Sequence, residues 1–419
     1  MTLDEFFQVL LSLVWAVAIF GGVASLAGLM TWGERKLASM IQDRIGPNRA
    51  NVRLLGKNFT LIGLFHIIAD PIKLFTKEDF IPEGAHRPLH TIAPMICLLI
   101  PLVLFSVIPF AGPLHISWKD FPAEDIWGLG YLVANDIWFF GDMFGGDVLH
   151  LSDYTIRFVV ADLDVGMLFI FAIASLSIYG IITAGWASNN KFSFLGAMRG
   201  ANQMISYELG LGLAAIGIFM VYGSVNLGHL VSGQGDLLGG VIPKWGLITQ
   251  PLGFLLFLAC GVAETKRIPF DLPEGESEIV AGYFTEYSSL KFTMFLFGEY
   301  VEMILLSAIL TTLFFGGWQI PWIDGSGYHL LHWQGGWEGT WLAGLLTVQG
   351  TQVFIMLLQA AKFALFTVAG VYFLLTARWT FPRFRYDQVM KMGWKMVLPL
   401  AFLNIVITAL VLVFTRGWM

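Results

Sequence analysis

The densest run of ionisable side chains lies between Glu264 and Lys291, which reads ETKRIPFDLPEGESEIVAGYFTEYSSLK. It sets six carboxylates, Glu264, Asp271, Glu274, Glu276, Glu278 and Glu286, against three bases, Lys266, Arg267 and Lys291. Crowded, partly desolvated carboxylates repel one another, so some hold protons near neutral pH, the property a proton relay needs. A solvated acidic loop stays equally open from these residues alone. A second group falls inside apolar runs: Glu208 beyond Arg199, Glu299 and Glu302 three apart on one helix face, and Lys362. A charge at that depth costs at least ~2.5–3.5 kcal/mol on insertion scales, so each should face the protein interior and pair. The expectation is that Glu302 or Glu299 approaches Lys362, either as a static ion pair or as part of a proton route.

A third group opens the first inward-facing segment, WGERKLASMIQDRIGPNRA, where Glu34, Arg35, Lys36, Asp43, Arg44 and Arg49 follow an apolar run. Acids alternate with bases, and GPN makes a turn. A plain basic anchor would show neither. From Phe59 to Phe75 apolar residues alternate with Gly63, His66, Asp70 and Lys73 at steps of three and four, and Lys77 continues the series. That pattern predicts a helix lying on the membrane surface or against a partner, bent at Pro71.

These groups must be positioned by a membrane protein. Of 419 residues, 56% are hydrophobic and 13% charged, far from the ~25% charged of soluble proteins. A span needs about 20 mostly apolar residues. Eight stretches qualify, at about Val9 to Met30, Thr91 to Ala111, Asp164 to Trp186, Gln203 to Gly223, Leu247 to Glu264, Phe292 to Gly317, Thr351 to Leu375 and Met396 to Thr415. The acidic leader MTLDE argues against a cleaved signal peptide. Nineteen of the 24 Lys and Arg residues fall in loops one, three, five and seven, which places those loops in the cytoplasm. The predicted fold is an all-α polytopic membrane protein, a single membrane domain of eight transmembrane helices plus a cytoplasmic-side amphipathic helix, with both termini outside. Its cytoplasmic loops include residues 31–90 and the acidic 265–291, and its outer loops 112–162 and 318–350.

The same composition excludes other classes. A net charge of -6 gives nucleic acid no basic surface. Cys97 and Cys260 sit apart in apolar runs and read as packing residues. There is no Walker A loop, no dinucleotide fingerprint and no His or Cys set at metal-ligand spacing. The chain is therefore expected to bind no cofactor alone.

Taken together, GERK, RIGPN, ADPIKLFTKED, GWASNNK with SYE, AETKRIPFDLPEGESEIV with EYSS, GEY, and FPRFRYDQVMKMGWK resemble the H-subunit family of respiratory complex I, the proton-pumping NADH:quinone oxidoreductase. The resemblance covers nearly the whole chain outside the outer loops. It implies a multi-pass subunit of the bacterial inner membrane with quinone as substrate and without stand-alone activity. The iron-sulfur clusters and FMN are then carried by partner subunits. The implied partners are peripheral-arm subunits of the NuoB and NuoD types at the quinone site and membrane-arm subunits of the NuoA, NuoJ and NuoK types. By motif, Glu34, Arg35, Arg44, Asp70 and Lys73 would line the quinone tunnel. Glu208, Glu264, Arg267, Asp271, Glu274, Glu276, Glu278, Glu286 and Glu299 would form the acidic link, and Glu302 and Lys362 join it on the physical argument above. The chain departs from the family's usual Asn at Lys266 and Leu at Ile279, and its outer loops look longer. A subunit of a membrane-bound hydrogenase or ferredoxin-driven complex shares this architecture. A lone secondary ion carrier and a purely structural anchor are the alternatives from other classes.

Overall fold

A computed structural model describes residues 3–50, 52–54, 57–116, 154–238, 241–323, 327–330, 333–336 and 341–416. The chain is mostly helical. The main helices are α1 (Leu3–Ile41), α2 (His66–Thr76), α3 (Arg87–Leu104), α4 (Gly166–Ala174), α5 (Ser177–Ala187), α6 (Lys191–Tyr222), α7 (Leu227–Gly233), α8 (Pro251–Glu264), α9 (Ser289–Phe314), α10 (Trp341–Thr380), α11 (Tyr386–Met392) and α12 (Leu398–Arg416). Strand is confined, among the described residues, to four two-stranded antiparallel ribbons in the connections. Seven helical segments are long and apolar enough to cross a bilayer: Ser12–Ile41, Arg87–Val107, Gly166–Ala187, Lys191–Tyr222, Ser289–Phe314, Thr351–Thr380 and Tyr386–Thr415. The predicted fifth span is present as α8, which at 14 residues is shorter than the rest.

Helix ends differ from the apolar runs for local reasons. α1 continues past Met30 because TWGERKLASMI contains good helix formers and no proline, and the chain leaves the helix only before Gly46 and Pro47. Glu34 and Arg35 thus stand on a helix, not in the predicted loop. α6 begins at Lys191, where the Asn190 side chain caps the backbone N–H of Phe192 at 2.9 Å. Glu208 therefore lies about 26 Å along this helix at ~1.5 Å per residue, far deeper than the predicted start at Gln203 suggests. The predicted third span is two helices, α4 and α5, joined at Ser175 and Leu176. The last is α11 and α12, joined through a π-helical turn at Gly393–Val397. The predicted surface helix starts only at His66, with strand at Lys57–Phe59 before it, and carries Pro71 in its interior.

α9 is the central post. Nearly all of its second half is buried, and it packs against α1, α2, α3 and α10. α8 lies between α6, α9 and α12. A Cβ on Gly261 of α8 would come within 2.4 Å of Leu306 on α9, so this glycine sets how closely the two helices approach. At the other end, the Gln250 side chain bonds Asn404 and Thr408 of α12 inside the bundle, which satisfies three buried polar groups at once.

Candidate functional site

Where α1, α2, α9 and the end of α10 meet, they line an open cavity of about 650 Å3. Its wall includes Glu34, Arg35 and Ala38 of α1, Arg44 and Pro47 of the following turn, His66 and Asp70 of α2, and Tyr300 and Arg378. Arg35 pairs with Asp70 at 2.6 Å, fastening α2 across the cavity to α1. Among the predicted tunnel residues, Glu34, Arg35, Arg44 and Asp70 line this space. Lys73 does not: one turn beyond Asp70, it is exposed and off the wall.

Glu34 is the buried corner of the cavity. Its carboxylate accepts from Arg267 at 2.9 Å and from the Tyr300 hydroxyl at 2.7 Å, and it pairs with Arg378. Arg267 lies over the Tyr300 ring at 4.6 Å and reaches Glu299 at 3.3 Å. The Tyr283 hydroxyl donates to the other Glu299 oxygen at 3.2 Å. Burial alone would lower the Arg267 pKa, but the charges of Glu34 and Glu299 more than offset it and the guanidinium is held above its ordinary value. The fifth loop thus reaches Glu34 itself through Arg267.

The loop itself is folded inward. Asp271 pairs with Arg383 at 2.7 Å, and the Gln203 amide of α6 donates to the carbonyls of Ala263 and Phe270. Gly282 has a φ of +54°, and a Cβ there would fall 1.6 Å from the Pro273 carbonyl, so the loop's two limbs can touch only at a glycine. Burial pushes the Glu274 carboxyl well above the ordinary carboxylate range, with Glu299 and Asp271 pushing the same way. Glu278 pairs with Arg199 at 2.6 Å on the exposed side. Glu286 accepts from Asn190 at 2.6 Å, and its backbone carbonyl lies 3.3 Å from His90. The Glu276 side chain lies outside the described residues.

A smaller cavity of about 70 Å3 sits among α3, α4, α6, α8 and α9. Its walls are mainly aliphatic, yet three carboxylates line it, Glu208 of α6, Glu264 of α8 and Glu302 of α9. Glu302 is paired with Lys266 at 2.7 Å. The Glu264 Oε2 atom is buried without a hydrogen-bond partner among the described residues.

The expected pairing of Lys362 with Glu302 or Glu299 is not formed. Lys362 instead donates to the carbonyls of Phe315, Gly317 and Gln319 at 2.6, 2.8 and 2.8 Å, under the rings of Trp245 and Phe366. The reason is depth. Phe315 ends α9, about 20 Å along the helix axis from Glu302 at ~1.5 Å per residue, and the carbonyls of that end offer a cation an alternative to a carboxylate. Glu299 and Glu302 are taken up by Arg267 and Lys266. Two members of the cluster, Arg378 and Arg383, are legible in the sequence only as part of the basic bias of loop seven. Their place in FPRFRYDQ and its approach is the sole sign.

Comparison with known proteins identifies the family. Residues 14–409 match the family model described as NADH dehydrogenase. An NADH-quinone oxidoreductase H subunit of Cytophaga hutchinsonii is 37% identical, over 93% of this chain and 93% of its own. The corresponding chain of Flavobacterium psychrophilum is 37% identical over 94% and 95%, and that of Bdellovibrio bacteriovorus 35% over 97% of each. With the match running through every element that builds the two cavities, the chain belongs to the NADH dehydrogenase family.

Proposed function

We propose that this chain is the membrane subunit of a proton-pumping NADH:quinone oxidoreductase that walls the quinone chamber and passes the charge change of quinone reduction into the membrane. The observation that carries this reading is the run of ion pairs between the two cavities. Glu34, on the wall of the larger, is joined through Arg267 to Glu299, one helical turn from Glu302 on the wall of the smaller. The larger space falls in the range of ~300–1,000 Å3 that holds small-molecule ligands, and its mixture of aliphatic wall and a few charged groups suits a quinone ring with an apolar tail. The smaller has room for a few waters and three carboxylates to hand protons between.

Reducing a quinone to the quinol takes two electrons and two protons. Electrons come from partner subunits, those with FMN and iron-sulfur clusters, and subunits of the NuoB and NuoD types close the chamber from the cytoplasmic side. Removing protons from the chamber leaves charge that Glu34 and its arginines sense first. The charge change then moves along Arg267 and Glu299 to Glu302, Glu264 and Glu208. Subunits of the NuoA, NuoJ and NuoK types receive it along the membrane arm.

The topology consistent with this role has eight crossings of the bacterial inner membrane and both termini outside. α8 is the eighth. α8 itself rises ~21 Å at ~1.5 Å per residue, and the helical turn Gly246–Thr249 precedes it across the non-helical Gln250. Gly246 touches Leu313 and Phe314 near the end of α9, whereas Lys266 and Arg267 meet Glu302 and Glu299 near its start, so α8 runs antiparallel to a spanning helix. With α8 as a crossing, the Lys- and Arg-rich loops one, three, five and seven fall on one side; without it, loops five and seven fall opposite loops one and three.

Extraction from native membranes in mild detergent tests the assignment. NADH:quinone reduction that co-purifies with the chain and is blocked by quinone-site inhibitors supports it. Co-purifying hydrogenase subunits move the chain to the hydrogenase relatives, and ion flux by the isolated chain overturns both.

A further inference from the structure

Lys266 and Arg267 are consecutive in sequence but enter different carboxylate groups. Arg267 turns to Glu34 and Glu299, toward the large cavity. Lys266, 4% exposed, turns to Glu302, on the wall of the small one. Its backbone has a φ of +55°, the left-handed region that Gly and Asn adopt easily and a lysine seldom does. A strained position of this kind persists where the surrounding structure fixes the direction of the side chain. The groups facing the Lys266 ammonium are Glu302 and Glu299 of α9, Cys97 of α3, and Glu264 of α8 with Glu208 of α6 behind it, while Arg267 is its chain neighbour. Among the described residues only Glu302 stands at ion-pair distance from it. Glu264 lines the same cavity as Glu302, and its Oε2 has no hydrogen-bond partner among the described residues, so it is an acceptor for a proton on Glu302.

We propose that Lys266 is the gate of this carboxylate route: its ammonium holds Glu302 in an ion pair that a proton must break before it can pass to Glu264. The inference rests on the proposed function. In the step itself, a proton binds the Glu302 carboxylate, and the neutral acid releases the ammonium. That proton then leaves Glu302 for Glu264 through water in the cavity, and the restored carboxylate recaptures Lys266. The lysine keeps its own three protons throughout. Burial works against that charge, but Glu302 more than offsets it and keeps the Lys266 pKa above its ordinary value. The residue is therefore a positioning cation, not a proton carrier.

The test uses the assembled complex in proteoliposomes, with NADH-driven proton pumping measured against pH. Lys266→Asn suits the left-handed backbone and removes the cation, so the carboxylates keep their protons to higher pH. The alkaline limb of the pumping profile is expected to move up by about one unit or more, as for loss of an opposite charge at this distance. Lys266→Arg retains the charge and is expected to keep the wild-type profile. Lys266→Gln is the second neutral variant, with the same alkaline shift expected should the first not assemble. A neutral variant with the wild-type profile, or an arginine variant shifted like the neutral ones, overturns the gate. The underlying route is read separately: Glu302→Gln pumping at the wild-type rate removes the route whatever Lys266 does.

Discussion

The two cavities of this chain use the same residue types to opposite ends. The larger, about 650 Å3, sits beside the turn after α1, and each of its two acids has an arginine partner: Glu34 has Arg267 and Arg378, Asp70 has Arg35. The smaller, about 70 Å3, is buried among apolar helix faces and holds three carboxylates with one cation, Lys266. Paired carboxylates hold a fixed shape, which the proposed quinone chamber requires. Unmatched carboxylates in a small apolar space leave protons free to redistribute, which a relay requires. The difference lies in the count of cations within reach, not in the carboxylates.

The comparison breaks most severely at the joint between the two. Arg267→Leu leaves Glu34 and Glu299 buried without their shared cation, and the expected cost is about 3–5 kcal/mol, as for loss of one partner of a buried pair. Thermal inactivation of the assembled complex measures it; an unchanged midpoint means that Arg378 alone suffices for Glu34. Next in size is a change confined to the chamber. Ala38, 3% exposed on its wall, has no charge to lose, and Ala38→Phe takes up space. The Michaelis constant for quinone should rise roughly tenfold with kcat little changed, the signature of lost ground-state and transition-state binding together. Equal kinetics for the two proteins would put quinone elsewhere. The smallest effect belongs to a pair outside both cavities. Arg199→Ala removes the partner of the exposed Glu278 and is expected to cost about 0–1 kcal/mol, read as a small shift in the same thermal midpoint. A larger loss would bring Glu278 into the buried network.

Much of this organisation is legible in the sequence, and the failures share one cause. Apolar runs reveal spans because lipid demands them along a line, and seven of the eight predicted spans coincide with helices of spanning length and composition. Helix ends are less legible, since α1 continues through Glu34 and Arg35 on helix propensity after its hydropathy has ended. The acids and bases of the fifth loop are visible as a cluster, but their partners are not. Glu299 and Glu302 look alike in sequence, three residues apart on one face, yet they take different cations because the chain after α8 turns sharply at Lys266. Lys362 shows the same limit. Its charge and burial are evident from the sequence, whereas the three carbonyls that satisfy it come from a helix end and turn whose depth depends on the folded packing.

The central claim is that carboxylates of the small cavity carry what quinone chemistry in the large one releases. Glu264→Gln tests it most directly, because Glu264 lines the small cavity and not the large one, and has an oxygen free of any hydrogen bond among the described residues. Proton pumping by the assembled complex in proteoliposomes should fall roughly a hundredfold, the scale of a lost proton-transfer group, with quinone-site inhibitor binding retained. Pumping at the wild-type rate would contradict the account.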